Sequence, residues 1–233
     1  MAETKYTGWV VKKINYLVFD EIITFLTTDG KLISCISLGS RKINSKNGRN
    51  LFLANEVEFE IYESRTQDKL SKLKRVVTLK QMNWNCENFE SFQLLHECVA
   101  AQTPSPWNRS DFYKKYLENY YAELDNDQYI ILKMLKDFSI FNGINIEVNK
   151  CVICGSTHLK TISFADHGML CNICFTDKKA TYFSVEISKG IHYLFNNNPK
   201  LKEYVAHFGF VIKLIKQYIN DNLGISFNSL KNY

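Results

Sequence analysis

No stretch of this chain strings together more than a few apolar residues, so none is long enough to fill the hydrocarbon of a bilayer as a helix. The opening, MAETKYTGWVVKKINY, lacks the apolar core and small-residue cleavage site of a secretory signal. Export and membrane partners are therefore not expected, and the chain is read as cytoplasmic. Also missing are a Walker-type glycine loop, a Gly-x-Ser-x-Gly elbow and a His-Glu-x-x-His helix. The five histidines, His96, His158, His167, His192 and His207, are scattered. Neither an enzyme nor a small-molecule substrate is indicated. No internal repeat or low-complexity tract is present.

Cysteine is not scarce. Seven occur, and in a chain read as unexported they are expected to be reduced thiols, because a disulfide framework is unstable in the cytosol. Cys35, Cys86 and Cys98 lie in apolar surroundings at irregular spacing and read as small core residues. The other four fall in CVICGSTHLKTISFADHGMLCNIC, residues 151–174, as two Cys-x-x-Cys pairs sixteen residues apart. One such turn supplies two thiolates from a tight knuckle, and two knuckles close a tetrahedral zinc site. Cys151, Cys154, Cys171 and Cys174 are the expected ligands, with Gly155 and Gly168 permitting the bends. A mixed site using His158 or His167, an iron–sulfur cluster and four unliganded core cysteines are the competing readings. A thioredoxin-like redox pair does not fit, since it wants one Cys-x-x-Cys in a βαβ setting. Four protein ligands fill the shell, so the Zn2+ is expected to be structural, folding an insert too poor in apolar residues to fold by itself.

The remaining organisation follows from periodicity. The 233 residues allow one large domain or two to three small ones. In the first eighty, TGWVVKKI, EIITFLT, KLISCISL, NEVEFEIYE and LKRVVTLKQ alternate with period two, most clearly at Val57, Phe59 and Ile61 between glutamates. The pair Asp29-Gly30 predicts a tight turn between the second and third of these strands. Five short strands suit a small barrel, of OB-fold or SH3-like type. From residue 85 the period becomes helical. Phe89, Phe92, Leu95 and Val99 share one face, and Pro104 and Pro106 stop that helix. Ser110 is a candidate N-cap for the next helix, and Asp125 or Asn126 for the one ending at Gly143. Phe112, Tyr113, Tyr116, Tyr120 and Tyr121 form an aromatic stripe better read as core than as a stacking platform. Ser184 opens a further helix closed by Pro199, and an amphipathic run from residue 203 ends at Gly224.

Net charge is +5, distributed as +5 over residues 1–80, −4 over 81–150 and +4 over 151–233. Such segregation fits units with separate partners. In LGSRKINSKNGRN, residues 38–50, Arg41, Lys42, Lys46 and Arg49 stand among glycine, serine and asparagine with no acid. Cations on such a loop can follow a phosphate backbone, with hydroxyls and guanidinium forks donating to its oxygens. The plain alternative is a solvated flexible loop; placement on a barrel favours nucleic acid.

These pieces, in this order and at this total length, resemble the RecO family of bacterial DNA repair and recombination mediators. The likeness is carried by the Gly8 strand, the DEIITFLTTDGK hairpin, the GSRKINS loop, the helical middle, NKCVICG, ISFADHGMLCNIC and the closing YINDNLGISFNSL. It implies an α+β chain: an N-terminal five-stranded OB-fold barrel (1–82) that binds DNA, then an all-α helical domain (83–233) carrying a four-cysteine zinc ribbon inserted at 149–177. It further implies binding of single- and double-stranded DNA, annealing of complementary strands, and action with RecR to help RecA displace single-strand-binding protein, on the bacterial nucleoid. Arg41, Lys42 and Ser45 fall on the family's basic loop motif, with Lys46 and Arg49 beside them. The family's pattern carries a basic residue just before the motif's glycine, where this chain has Leu38, and that departure implies weaker DNA binding. The alternative of another class is a zinc-stapled protein–protein interaction module without direct DNA binding.

Overall fold

The computed structural model describes residues 3–64, 66, 69–82, 89–101, 108–122, 126–178 and 181–233, with the backbone alone for 119–122. Cys86, Pro104, Pro106, Asp125 and the side chains of Tyr120 and Tyr121 lie outside the described residues. Among the described residues the chain divides into two compact units, and no helix is long and apolar enough to cross a membrane.

The first unit is built on strands β1 (Glu3–Tyr16), β2 (Asp20–Thr27), β3 (Leu32–Ser37), β4 (Glu56–Tyr62) and β5 (Ser71–Lys80). They close into a barrel in the order β1-β2-β3-β5-β4, with β1 also paired to β4. All pairings are antiparallel except β3 with β5, which is parallel and short: Cys35 opposite Ser71 and Ile36 opposite Lys72. This order is that of the OB-fold, a distinction that alternation could not make. A register shift between Val10 and Lys12 bends β1, so that one long strand serves two neighbours.

Alternation sorts the side chains as expected. Val57, Phe59 and Ile61 are buried while the glutamates between them are half-buried on the other face. Phe59 stacks on Phe25 with centroids 3.9 Å apart and on Tyr6 at 5.5 Å, amid Val10, Ile23 and Val76. Burying each such side chain fully contributes about 1.5–3 kcal/mol. Cys35 lies in this core, and burial pushes its thiol up to about 12. Between β2 and β3, Thr27 N–H donates to Lys31 O at 2.9 Å, and Gly30 takes φ +85°.

The same unit includes α2 (Arg109–Ala122), on which Phe112, Tyr113 and Tyr116 are buried. Tyr113 meets Trp9 of β1 at 5.7 Å between centroids, so these aromatics are core, not a stacking platform. Ser110 is not the N-cap. Asn108 takes that role, its Oδ1 accepting from Asp111 N–H at 3.3 Å and from the Ser110 hydroxyl at 2.8 Å, since it stands directly before α2 and reaches the free N–H groups of the first turn, whereas Ser110 already lies inside the helix.

The second unit holds most of α1 (Phe89–Ala100), α3 (Asp127–Phe141), the hairpin β6 (Leu159–Ser163) and β7 (Gly168–Cys171), α4 (Asn172–Lys178), α5 (Val185–Phe195) and α6 (Phe208–Leu223). On α1, Phe92, Leu95 and Val99 are buried, but Phe89, at the first turn, is exposed. Asn126 caps α3 by accepting from Gln128 N–H, and Gly143 follows its end at φ +79°. Ser184 caps α5 through Ile187 N–H. The run before Gly224 is shorter than predicted: residues 199–207 form 3-10 turns broken at Tyr204, and α6 starts only at Phe208. Pro199 begins the 3-10 segment, after Asn198 accepts from Lys200 N–H, and tertiary packing of Leu201 replaces helical periodicity there.

Candidate nucleic-acid loop and metal centre

Two sites emerge, one in each unit. On the barrel, the segment between β3 and β4 is held by backbone and side-chain hydrogen bonds along its length. Gly39, at φ +63°, donates its N–H to Asp20 Oδ1 at 2.7 Å. Arg41 N–H donates to Phe19 O at 3.0 Å, and its guanidinium to Val18 O at 3.2 Å. The Lys42 ammonium sits 5.4 Å from the centroid of the Phe19 ring. Ser45 Oγ accepts from Gly48 N–H at 3.1 Å, keeping its own hydroxyl hydrogen for another acceptor. Gly48 allows the loop to fold on itself: a Cβ there would lie 2.0 Å from Ser40 O.

The far half of the loop is splinted to β5. Pairing with β3 covers only two positions of β5, and farther along the strand Asn47 and Asn50 take over. Asn47 Oδ1 accepts from Val76 N–H at 3.2 Å, its amide reaches Lys74 O at 3.4 Å, and Asn50 Oδ1 accepts from Thr78 N–H at 3.3 Å and its hydroxyl at 3.0 Å. The loop is therefore held in a defined conformation. It presents Arg41, Lys42, Lys46 and Arg49 to solvent, with Ser45 half-buried among them, and none of the four cations forms an ion pair among the described residues. Residues 42–46, Gly48, Arg49 and Phe52 line an open depression of about 550 Å³. The acid nearest the loop's start, Asp20, is turned to Gly39 N–H, and the barrel's ion pairs lie outside the loop: Lys13 with Glu21, and Lys74 with Glu3 and Glu60.

In the second unit, Cys151, Cys154, Cys171 and Cys174 bring their sulfurs within 4.8 Å of one another. Cys154 and Cys171 Sγ are 3.6 Å apart. That excludes a disulfide, which requires about 2.05 Å. It matches tetrahedral ligation, where a metal–sulfur bond of about 2.3 Å sets the sulfurs about 3.8 Å apart. The first knuckle closes through Gly155 N–H to Cys151 O at 2.8 Å with Gly155 at φ +74°; the second lies at the end of β7 and the first turn of α4, where Cys174 N–H donates to Cys171 Sγ at 3.5 Å. Gly168 is needed for close approach instead of a bend. A Cβ there would lie 2.7 Å from Glu147 O and 2.3 Å from Val152 Cγ1, where the chain entering the first knuckle crosses the hairpin.

The four thiols do not ionise alike: two are brought down and two, Cys154 and Cys174, are pushed up. The N–H of Cys174 holds the Cys171 thiol below its ordinary range. At Cys151 burial opposes ionisation, yet hydrogen bonds from the backbone of Cys154, Cys171 and Ile153 outweigh it and bring the thiol down to about 6. Burial and the neighbouring sulfurs push Cys174 up to about 12. Four thiolates at this spacing repel one another, and a divalent ion removes that repulsion. The donor set fits such an ion. His167 takes no part in it, since its Nδ1 is 2.8 Å from the Tyr218 hydroxyl, and His158 is exposed outside the cluster.

Comparison with known proteins covers both units. Residues 1–82 match the family model described as "Recombination protein O N terminal". The chain is 26% identical to DNA repair protein RecO of Mesoplasma florum, over 97% of this chain and 88% of that protein. It is 25% identical to DNA repair protein RecO of Mycoplasma mycoides, over 99% and 91%, and 24% to that of Mycoplasma capricolum, over 98% and 96%. A barrel matched from end to end, a four-cysteine cluster following in a helical region, and similarity that runs nearly the full length of each relative make this chain similar to RecO DNA repair proteins as a whole.

Proposed function

We propose that this chain is a non-enzymatic recombination mediator that holds DNA by its phosphates on the barrel, through Arg41, Lys42, Ser45, Lys46 and Arg49. The observation that carries this reading is a loop fixed at both ends, by the β1–β2 turn and by β5, with four exposed cations and no acid among them. A preorganised cationic loop loses little entropy when a polyanion binds, and each phosphate it neutralises releases counterions. Because such contacts carry no sequence information, they suit binding of both single- and double-stranded DNA. Holding two strands supports annealing, and action with RecR to help RecA displace single-strand-binding protein follows the family. Domain roles follow as well: 1–82 for DNA, and 83–233 as a helical body whose insert at 149–177 is folded by structural Zn2+, working in the bacterial cytoplasm.

The test is the salt dependence of oligonucleotide affinity. Affinity should fall roughly tenfold or more for a few-fold rise in salt. In Arg41→Ala/Lys42→Ala the slope of log affinity against log salt should be shallower by about two. An unchanged slope would remove this loop from the interface.

A further inference from the structure

The cationic loop is tied to an apolar turn that the phosphate contacts leave unused. Between Tyr16 and Asp20, which pair across the hairpin, β1 and β2 are joined by Leu17, Val18 and Phe19. Leu17 is 70% exposed and Val18 72%, and Phe19 and Tyr16 are exposed beside them. Leu38 and Ile43, on the loop fastened to this turn, are exposed too. An apolar tip of this size is uncommon on a surface with no partner. Leu17 also sits at φ +53°, a left-handed conformation that glycine fills without strain in three-residue hairpin turns. Burial does not explain a leucine there, nor does turn chemistry.

What surrounds the tip indicates its occupant. The carbonyls of Val18 and Phe19 accept from Arg41, and Lys42 lies over the Phe19 ring. Apolar side chains therefore project next to the cations assigned above to phosphate. A ligand that matches both is anionic along its backbone and flat and apolar at its side groups, as an unstacked nucleic-acid strand is. We propose that the Leu17-Val18-Phe19 tip is a base-binding wedge: unpaired nucleobases pack on it while the neighbouring phosphates lie on Arg41 and Lys42. Resting on the DNA-binding reading, it adds that single strands are held by base contact as well as charge. Duplex, whose bases are stacked away, engages the cations alone.

The experiment compares a deoxythymidine oligomer with an abasic oligomer of the same length, at two salt concentrations, for the full chain and for Leu17→Gly/Val18→Ser. Glycine at position 17 relieves the left-handed strain, so the variant should melt no lower than the parent in that turn. The parent should prefer the base-bearing oligomer by about tenfold, the scale of one or two base-stacking contacts. In the variant that preference should shrink to within about twofold, with the salt slope unchanged. Equal parental affinity for the two oligomers, with steep salt dependence retained, would overturn the wedge and leave the phosphate reading standing. A parental preference that the variant keeps in full would also overturn it, and would mark the tip as a surface for another protein chain. No binding to either oligomer at low salt would defeat the DNA-binding reading itself, and the wedge with it.

Discussion

The barrel and the cysteine insert hold their backbones in place by opposite means. The barrel closes five strands around Phe25, Phe59 and their neighbours, so apolar burial and ladder hydrogen bonds reinforce each other. Among the described residues the cluster around the cysteines is small: Leu170 is buried in it, Val152, Leu159 and Phe175 are partly buried against it, and Ile162 and Met169 add buried apolar surface on the same hairpin. Against backbone ordering costs of about 1–2 kcal/mol per residue, that much burial leaves the insert short, while the barrel's core offsets them. One region is specified by its pattern of side chains; the other is marked by the spacing of four cysteines that could hold a metal ion.

The contrast can be broken most forcefully at the metal. Zinc binding of about 10–16 kcal/mol in small peptides sets the scale. In Cys151→Ser/Cys171→Ser, one ion per chain should fall to none by elemental assay, and amide exchange should rise across residues 151–174 while the barrel stays protected. Retention of the ion would refute the ligand assignment. The reverse experiment is Phe59→Ala, which should cost the barrel about 3–5 kcal/mol and leave metal content unchanged. Loss of zinc from that variant would mean the two units do not fold separately.

Acid sharpens the comparison at smaller scale, because the barrel has no histidine whereas α1 buries His96, with Nδ1 2.8 Å from Phe92 O. Burial brings this imidazole down to about 4, the backbone contact only partly offsetting it. The neutral form is thus favoured in the fold. Its contribution is complete above the ordinary value near 6.5 and is lost as pH falls from there toward 4, since the unfolded chain takes up the proton first. A decline of up to about 3 kcal/mol in the second unit is expected over that window, followed by urea melts at stepped pH; His96→Gln should flatten it. The smallest effect belongs to Asn47→Ala, about 1 kcal/mol in urea with a modest loss of oligonucleotide affinity, since the loop would lose its hold on Val76 and Lys74. Full affinity in that variant would show that the splint does not position the cations.

Much of this was legible before any coordinates. Strand alternation around Phe59 and the doubled Cys-x-x-Cys depend on neighbours in sequence, where period and spacing are visible. What escaped depends on residues distant in the chain. The parallel β3–β5 closure decides between barrel types, yet it joins Cys35 to Ser71 and leaves no local mark. The role of Gly168 is set by Glu147 on a different segment. The cap at Asn108 is a near miss of two residues between side chains of similar propensity, whereas the helix expected from residue 203 starts five residues later, at Phe208, after the 3-10 segment. Lys136 is buried beside Asp137 at 2.8 Å with Asn197 as a second partner, a satisfied pair no periodicity announces. Within the loop the cations were plain, but Asn47 and Asn50 carried no signal beyond being polar.

Those two asparagines bear on more than the loop they brace. Where β3 stops covering β5, bare amides and carbonyls would invite a strand from another molecule, the usual seed of sheet-to-sheet polymerisation. By occupying Lys74, Val76 and Thr78 with amide side chains, the molecule caps that seam with its own groups, and many copies can crowd together without being stitched into fibres.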